Sequence, residues 1–347
     1  MPNLESAKDD HLAMRIVVLH NHAPDPAPPD EKDALLQAEA VSAALLDAGH
    51  EAIKVPFPLD TRRVIDELRT LRPALVFNLV ESIEGQGRLI HLAPTVLDYL
   101  AIPYTGSPTE AIFLTSHKLL AKRRLKEAGM RTPPWYSMKD ASTDVSIPGG
   151  AFIVKSVWEH ASIGLEDDCV IRIGDFRKLR TELENRKEKL GGEAFAEMYI
   201  DGREFNLSLL GRKENVEVLP PAEIVFKDFP AGKPRIVGYR AKWNDEAFEY
   251  HNTPRSFNFP DEDRLLLETV KIISRSCWGI FGLRGYARVD FRVDREGIPW
   301  VLEVNANPCL TPDSGFVAAA EKHGLTYTDL ITGIAEEALC SGNKDFS

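Results

Sequence analysis

Two carboxylates, an amide and an arginine crowd into one short stretch, Tyr286 to Pro308 (YARVDFRVDREGIPWVLEVNANP). In its first half Ala287, Val289, Phe291 and Val293 alternate with Tyr286, Arg288, Asp290 and Arg292. Period two makes this a strand with Arg288 and Asp290 on one face. In the second half Trp300, Leu302 and Val304 alternate with Val301, Glu303 and Asn305, which predicts a shared face for Glu303 and Asn305. Asp294, Arg295, Glu296 and Gly297 between them read as a hairpin turn. If that turn is centred between Glu296 and Gly297, Asp290 sits opposite Glu303 with Cβ atoms roughly 5 Å apart. Carboxylates so placed repel unless a cation lies between them, and carboxylate and amide oxygens are ligands that magnesium accepts. A surface hairpin with solvated charges is the plainer alternative, and Arg288 on the same face weighs against it.

The elements that would position this hairpin begin near the N-terminus. Met14 to His20 reads as a buried strand, and Asp30 as the cap of a helix whose Ala34, Ala38, Val41 and Leu45 keep helical spacing up to Gly49. Ala52 to Val55 is a second strand, Asp60 to Leu71 a helix ended by Pro73, and Ala74 to Leu79 a third strand. This alternation predicts a parallel, right-handed α/β unit. Glu81 follows the third strand at its carboxyl edge, where open sheets place ligands, and could hold a substrate ammonium group or simply be solvated. His20 and His22 lack a third ligand in sequence and read as structural. Further on, Ala121, Leu125 and Ala128 give a helix closed by Gly129, Pro133 and Pro134, with Lys118 near its start. A lysine there suits a helix N-terminus only if a phosphate is also present. AFIVKS ends a strand in Lys155, AFAEMYIDGREFNLSLLG reads as strand, turn and strand, and Leu266, Val270, Ile273 and Cys277 form a core helix stripe.

The 347 residues can bury a large core divided into two or three subdomains. A net charge of −11 argues against general nucleic-acid or anionic-membrane binding. Cys169, Cys277, Cys309 and Cys340 lie far apart without a C-x-x-C pair, as reduced cytosolic thiols would. No apolar run reaches the roughly 18 residues of a membrane helix. The acidic start (MPNLESAKDDHLAM) is unlike a secretory signal, so a cytoplasmic protein is expected.

GYARVDFRVD followed by VLEVNANPCLTPDS resembles the metal site of ATP-grasp enzymes, and most closely their D-alanine–D-alanine ligase branch. The resemblance implies Asp290, Glu303 and Asn305 as ligands of two magnesium ions (manganese as an alternative) on ATP phosphates, with Arg288 facing the transferred phosphoryl group. It implies Lys118, Lys155 and Lys242 on the phosphates, the last from a lid at Tyr239 to His251. It further implies Glu197 on the adenine amino group, Ile200 offering its backbone, Glu204 on the ribose, and Thr311 and Ser314 on the second substrate's carboxylate. The implied fold is an ATP-grasp fold, α/β overall and α+β in its ATP-binding half. Its pieces are an N-terminal parallel α/β domain at 14–110, a central subdomain at 111–198 and a C-terminal subdomain at 199–341, between flexible ends at 1–13 and 342–347. A homodimer is implied by the same analogy.

The substrate end departs from that family. HNHAPDPAPPDEK stands where the ligases carry a glycine- and serine-rich motif with a glutamate, His160 and Ala161 replace glycine and serine, and Cys309 replaces a glycine. The expected function is therefore an ATP-dependent ligase joining a small carboxylate to an amine other than a pair of D-alanines, with Glu81 and His160 as further substrate contacts. A D-alanine–D-alanine ligase and an ATP-binding regulatory module without turnover are the alternatives.

Overall fold

The computed structural model describes residues 13–22, 26, 28–138, 149–159, 162, 164–213 and 215–342. The chain runs β1 (Arg15–Asn21), α1 (Pro29–Asp47), β2 (Glu51–Phe57), α2 (Thr61–Leu71), β3 (Leu75–Asn78), α3 (Leu92–Leu100), α4 (Thr109–Ser116) and α5 (Lys118–Glu127). It continues through β4 (Trp135–Ser137), β5 (Gly150–Ser156), β6 (Val170–Ile173), α6 (Phe176–Arg186), β7 (Ala194–Met198), β8 (Arg203–Arg212), β9 (Asn215–Val218) and β10 (Ala222–Ile224). The remainder is α7 (Tyr239–Trp243), α8 (Phe248–His251), β11 (Arg255–Ser256), α9 (Arg264–Phe281), β12 (Tyr286–Val293), β13 (Pro299–Asn305), α10 (Gly315–His323) and α11 (Tyr327–Gly342).

Three sheets result. The first has order β2-β1-β3 and is parallel, as the strand and helix alternation predicts. Ala34, Ala38, Val41 and Leu45 are buried along α1. That helix starts from Pro28 rather than from Asp30, with proline in its first turn, where a missing N–H costs nothing. The second sheet, β4-β7-β5-β6, packs Phe152, Val154 and Ala196 against Phe176, Leu179 and Leu183 of α6. The third, β11-β10-β8-β12-β13 with β9 beside β8, is covered on one face by α9 through Val270 and Cys277. Ala128, expected on the buried stripe of α5, is exposed, because the helix ends one residue earlier at Glu127.

Tyr286 ties the first and third sheets together. It is fully buried, packs edge-on against Phe316 at 5.8 Å, and donates to Asn307 Oδ1 at 2.7 Å. Asn307 in turn donates to the Val80 carbonyl at 2.9 Å. The end of β13 and the loop carrying Glu81 are thereby held in one rigid corner. Close backbone approach adds to this at Gly285, in the left-handed region at φ 70°, where a Cβ would meet Gly106 N at 2.8 Å. Among the described residues no helix is long and apolar enough to cross a membrane.

Candidate active site

β12 and β13 pair antiparallel with Asp290 opposite Glu303 and Arg288 opposite Asn305. The facing carboxylates are those the sequence predicts, but the hairpin reaches them differently. Below Asp290 the register shifts, so that Phe291 faces Val301 and the turn centres on Glu296, and Leu302 is left over as a bulge. Strict alternation would put Val301 on the face of Glu303 and Asn305. Instead Val301 and Val304 are both buried in the core, while Leu302 lines the cavity with Glu303 and Asn305. On its other side Asp290 pairs with Asn206 of β8, whose Nδ2 donates to Oδ1 at 2.8 Å. Arg288 forks onto Asp290, Nε to Oδ1 at 2.7 Å and Nη2 to Oδ2 at 2.8 Å. Burial disfavours the guanidinium cation, yet the charge of Asp290 outweighs it and holds Arg288 protonated. Asn305 Oδ1 accepts from Asn307 N at 2.9 Å, which fixes its amide at the strand end.

This wall closes one side of a cavity of about 620 Å³. Lys118, at the first position of α5, donates to the Glu159 carbonyl at 2.6 Å, and its helix is capped by His117, whose Nδ1 accepts from Leu120 N at 3.3 Å. Lys155 leaves β5 beside Glu197 of β7 and ion-pairs with it. Glu197 is 1% exposed and is shared with Lys122, whose Nζ lies 2.6 Å away and also donates to Thr132 Oγ1 at 2.8 Å. Burial alone would raise the Glu197 pKa, but the two ammonium groups outweigh it and the carboxyl lies below its ordinary value. The carboxylate expected on adenine is thus committed to two lysines. Lys122 was not singled out in the sequence, since nothing in a basic helix marks which lysine turns inward.

Ile200 lines the cavity beside Met198 and Tyr199. Glu204 lies 3.1 Å from Arg292 Nη2, and Arg292 also donates to the Gly202 carbonyl at 3.0 Å, with its guanidinium 5.1 Å from the Phe226 ring centre. Lys242, on α7, faces the same cavity; desolvation and then Arg288 lower its pKa, while Glu303, Asp290 and Glu204 act in the opposite sense.

At the other end stand Glu81 and residues hidden in the proline-rich run. Asn21 Nδ2 donates to Glu31 at 2.9 Å and to Ser82 Oγ at 3.1 Å, and Ser82 donates to Glu31 at 2.6 Å. Cys309 Sγ lies 3.2 Å from Asp33 Oδ2 and 3.1 Å from Thr311 Oγ1. Ser314 caps α10 by accepting from Val317 N at 3.3 Å. His160 and Ala161 lie outside the described residues. His20 is buried, which lowers its pKa, and its Nδ1 bonds the Asn21 carbonyl at 2.8 Å, consistent with a structural role. Among the described residues no group of three or more His, Cys, Asp or Glu is arranged to hold a metal ion. The oxygen-only set of Asp290, Glu303 and Asn305 fits a hard divalent cation.

Burial raises the Glu81 carboxyl from 4.5 to about 7, against the hydrogen bond that Gln37 Nε2 donates to it at 2.9 Å, with Asp33 and Glu31 adding to the rise. The native state therefore keeps a proton that the unfolded chain releases above 4.5, so stability falls as pH rises from 4.5 through about 7. Glu81→Gln removes this titration. Between pH 5 and pH 8 the wild type is expected to lose roughly 2–3 kcal/mol relative to the variant, read from urea unfolding at both pH values. Equal pH dependence of the two proteins would contradict it.

Residues 126–336 match the family model described as D-ala D-ala ligase C-terminus. The uncharacterized protein y4sG of Sinorhizobium fredii is 32% identical over 94% of this chain and 97% of its own length. The D-alanine–D-alanine ligase of Moorella thermoacetica is 28% identical over 94% of this chain and 99% of its own length. Among solved structures, D-alanine–D-alanine ligase from Bacillus anthracis complexed with ATP superposes with a TM-score of 0.71 at 22% identity, over 96% of this chain and 100% of that one. That likeness speaks for the fold, an ATP-grasp fold of mixed α/β architecture. Together with the matched family model, it places the chain in the D-alanine–D-alanine ligase-like branch of the ATP-grasp family, ATP-dependent ligases that form carbon–nitrogen bonds.

Proposed function

We propose that this chain joins a small carboxylate to an amine through an acyl phosphate, with substrates other than a pair of D-alanines. The observation that carries the ligase reading is the facing of Asp290 and Glu303, with Asn305, on the wall of a cavity that Lys118, Lys155 and Lys242 also line. Asp290, Glu303 and Asn305 would hold magnesium, two ions in our reading, which when bound offsets the charge of the ATP phosphates. Lys118, Lys155 and Lys242 bind the phosphates directly. Ile200 lines the adenine slot through its backbone and Glu204 takes the ribose hydroxyls; with Glu197 held by Lys122 and Lys155, we assign the adenine amino group to the main chain at the end of β7.

A carboxylate oxygen of the first substrate attacks the γ-phosphorus as the bond to ADP breaks. The amine nitrogen of the second substrate then attacks the acyl carbon, loses a proton, and inorganic phosphate leaves. Arg288 stabilises the charge that builds on the carbonyl oxygen. Lys242 and its neighbours on α7 and α8 form the lid that keeps water from the acyl phosphate. Glu81 receives an ammonium group, Ser314 with Thr311 receives a carboxylate, and His160, outside the described residues, is kept as a further substrate contact. The division at 14–110, 111–198 and 199–341 is supported by one sheet lying within each piece.

The second reading, a D-alanine–D-alanine ligase, is favoured by curated relatives of that name, such as those of Moorella thermoacetica and Bordetella petrii at 28% and 29% identity. Against it stand the altered run before α1 and Cys309 facing Asp33. A screen of ADP release over pairs of L- and D-amino acids and small acids separates the readings. We expect release with a pair other than two D-alanines. Release with D-alanine alone would install the second reading, and ATP binding without release from any pair would leave a regulatory module.

A further inference from the structure

Glu31, Asp33, Tyr250, Arg255, Cys309 and Asp313 line the cavity without a part in the reaction scheme. Arg255 is the cation among them. It sits on edge strand β11, opposite Ile224 of β10, and is solvent-exposed at the cavity mouth. Its Nη2 donates to the main-chain carbonyl of Asp313 at 2.8 Å, and among the described residues it forms no ion pair. A Cβ placed on Gly315 would lie 3.7 Å from Nε, so the missing side chain at 315 leaves that flank of the guanidinium open.

Two guanidinium groups, Arg255 and Arg288, share this corner with the Asp313 carboxylate. Arg288 acts on Arg255 as a second cation, and its own fork is already spent on Asp290. Asp313 is the opposing carboxylate. Glu31, Asp33 and Glu81 line the same cavity and bring negative charge to it. A guanidinium offers five donors in a planar fork that matches a carboxylate, and here one donor is used. The corner adjoins Ser314, so a carboxylate on Arg255 lies close to one held by Ser314 and Thr311.

We propose that Arg255 is a specificity residue that binds a second carboxylate of the amine substrate, which makes that substrate an acidic amino acid with an aspartate- or glutamate-like side chain. This rests on the ligase reading for the identity of the site, but it is tested by binding rather than by turnover. The protein, preloaded with magnesium and a non-hydrolysable ATP analogue, is titrated calorimetrically with D- and L-aspartate and glutamate and with asparagine and glutamine of matching stereochemistry. At least one acid is expected to bind at least tenfold tighter than its amide. In Arg255→Gln that ratio falls to about one, and in Arg255→Lys, which keeps the charge without the fork, it lies between. Melting curves of both variants check that they fold. The proposal is overturned if acid and amide bind alike in the wild type, if no acid binds, or if Arg255→Gln keeps the preference. A failure of the ligase reading shows separately, as absent ADP release in the screen above.

Discussion

Asp290→Asn and Glu303→Gln should each lower ATP turnover at least a thousandfold while leaving the fold intact. A thousandfold loss corresponds to about 4 kcal/mol of transition-state stabilisation at 1.36 kcal/mol per factor of ten. Both substitutions keep the shape of the side chain and remove one negative charge from a wall where two carboxylates face each other across β12 and β13. If that pair holds a divalent cation, either change weakens the metal and with it the neutralisation of the phosphates. Asp290→Asn also deprives Arg288 of its forked partner, whereas Glu303→Gln leaves the fork in place. A loss shared by both variants therefore tracks the metal rather than the guanidinium. The measurement is ADP release at saturating ATP across a magnesium titration, with melting curves as the control on folding. The variants should need more magnesium for whatever turnover remains. Turnover within tenfold of wild type in both would sink the assignment.

The facing of those two carboxylates was legible because a strand has only two faces and a polar turn fixes where the chain reverses. The bulge was not. In the run WVLEV the apolar residues Trp300, Val301 and Leu302 are consecutive, so alternation does not say which of them turns inward, and burial of Val301 and Val304 in the core decides it. The parallel sheet was legible from the order of strands and helices. The acidic lining from Glu31 and Asp33 was not, because these residues acquire their positions only when α1 starts from Pro28 and brings them against Asn21, Ser82 and Cys309. The pairing of Glu197 with Lys122 was not legible either, since an ion pair between residues so distant in sequence leaves no local pattern.

That last pair carries the largest stability effect. Glu197 lies between Lys122, which is 2% exposed, and Lys155; burial lowers the Lys122 pKa, and the Glu197 charge opposes that fall. Burial opposes the charge on Lys155, but Glu197, with help from Glu303 and Glu204, holds its pKa above the ordinary value. The intact cluster adds little to net stability, since the desolvation of three charges offsets most of their attraction; breaking it is costly because it strands a charge. Glu197→Gln is therefore expected to lose roughly 3–5 kcal/mol, a fall in melting temperature of roughly 5–10 °C. Lys122→Met alone should cost less, because Glu197 keeps Lys155 as its partner. Adding Lys122→Met to Glu197→Gln should recover part of the loss, since the stranded ammonium is then gone, so the double-variant cycle is strongly non-additive. Calorimetric or fluorescence melting of the three variants reads this directly. A Glu197→Gln protein that melts within about 1 °C of wild type, or simple additivity of the two changes, would show that the cluster is not what keeps these lysines charged.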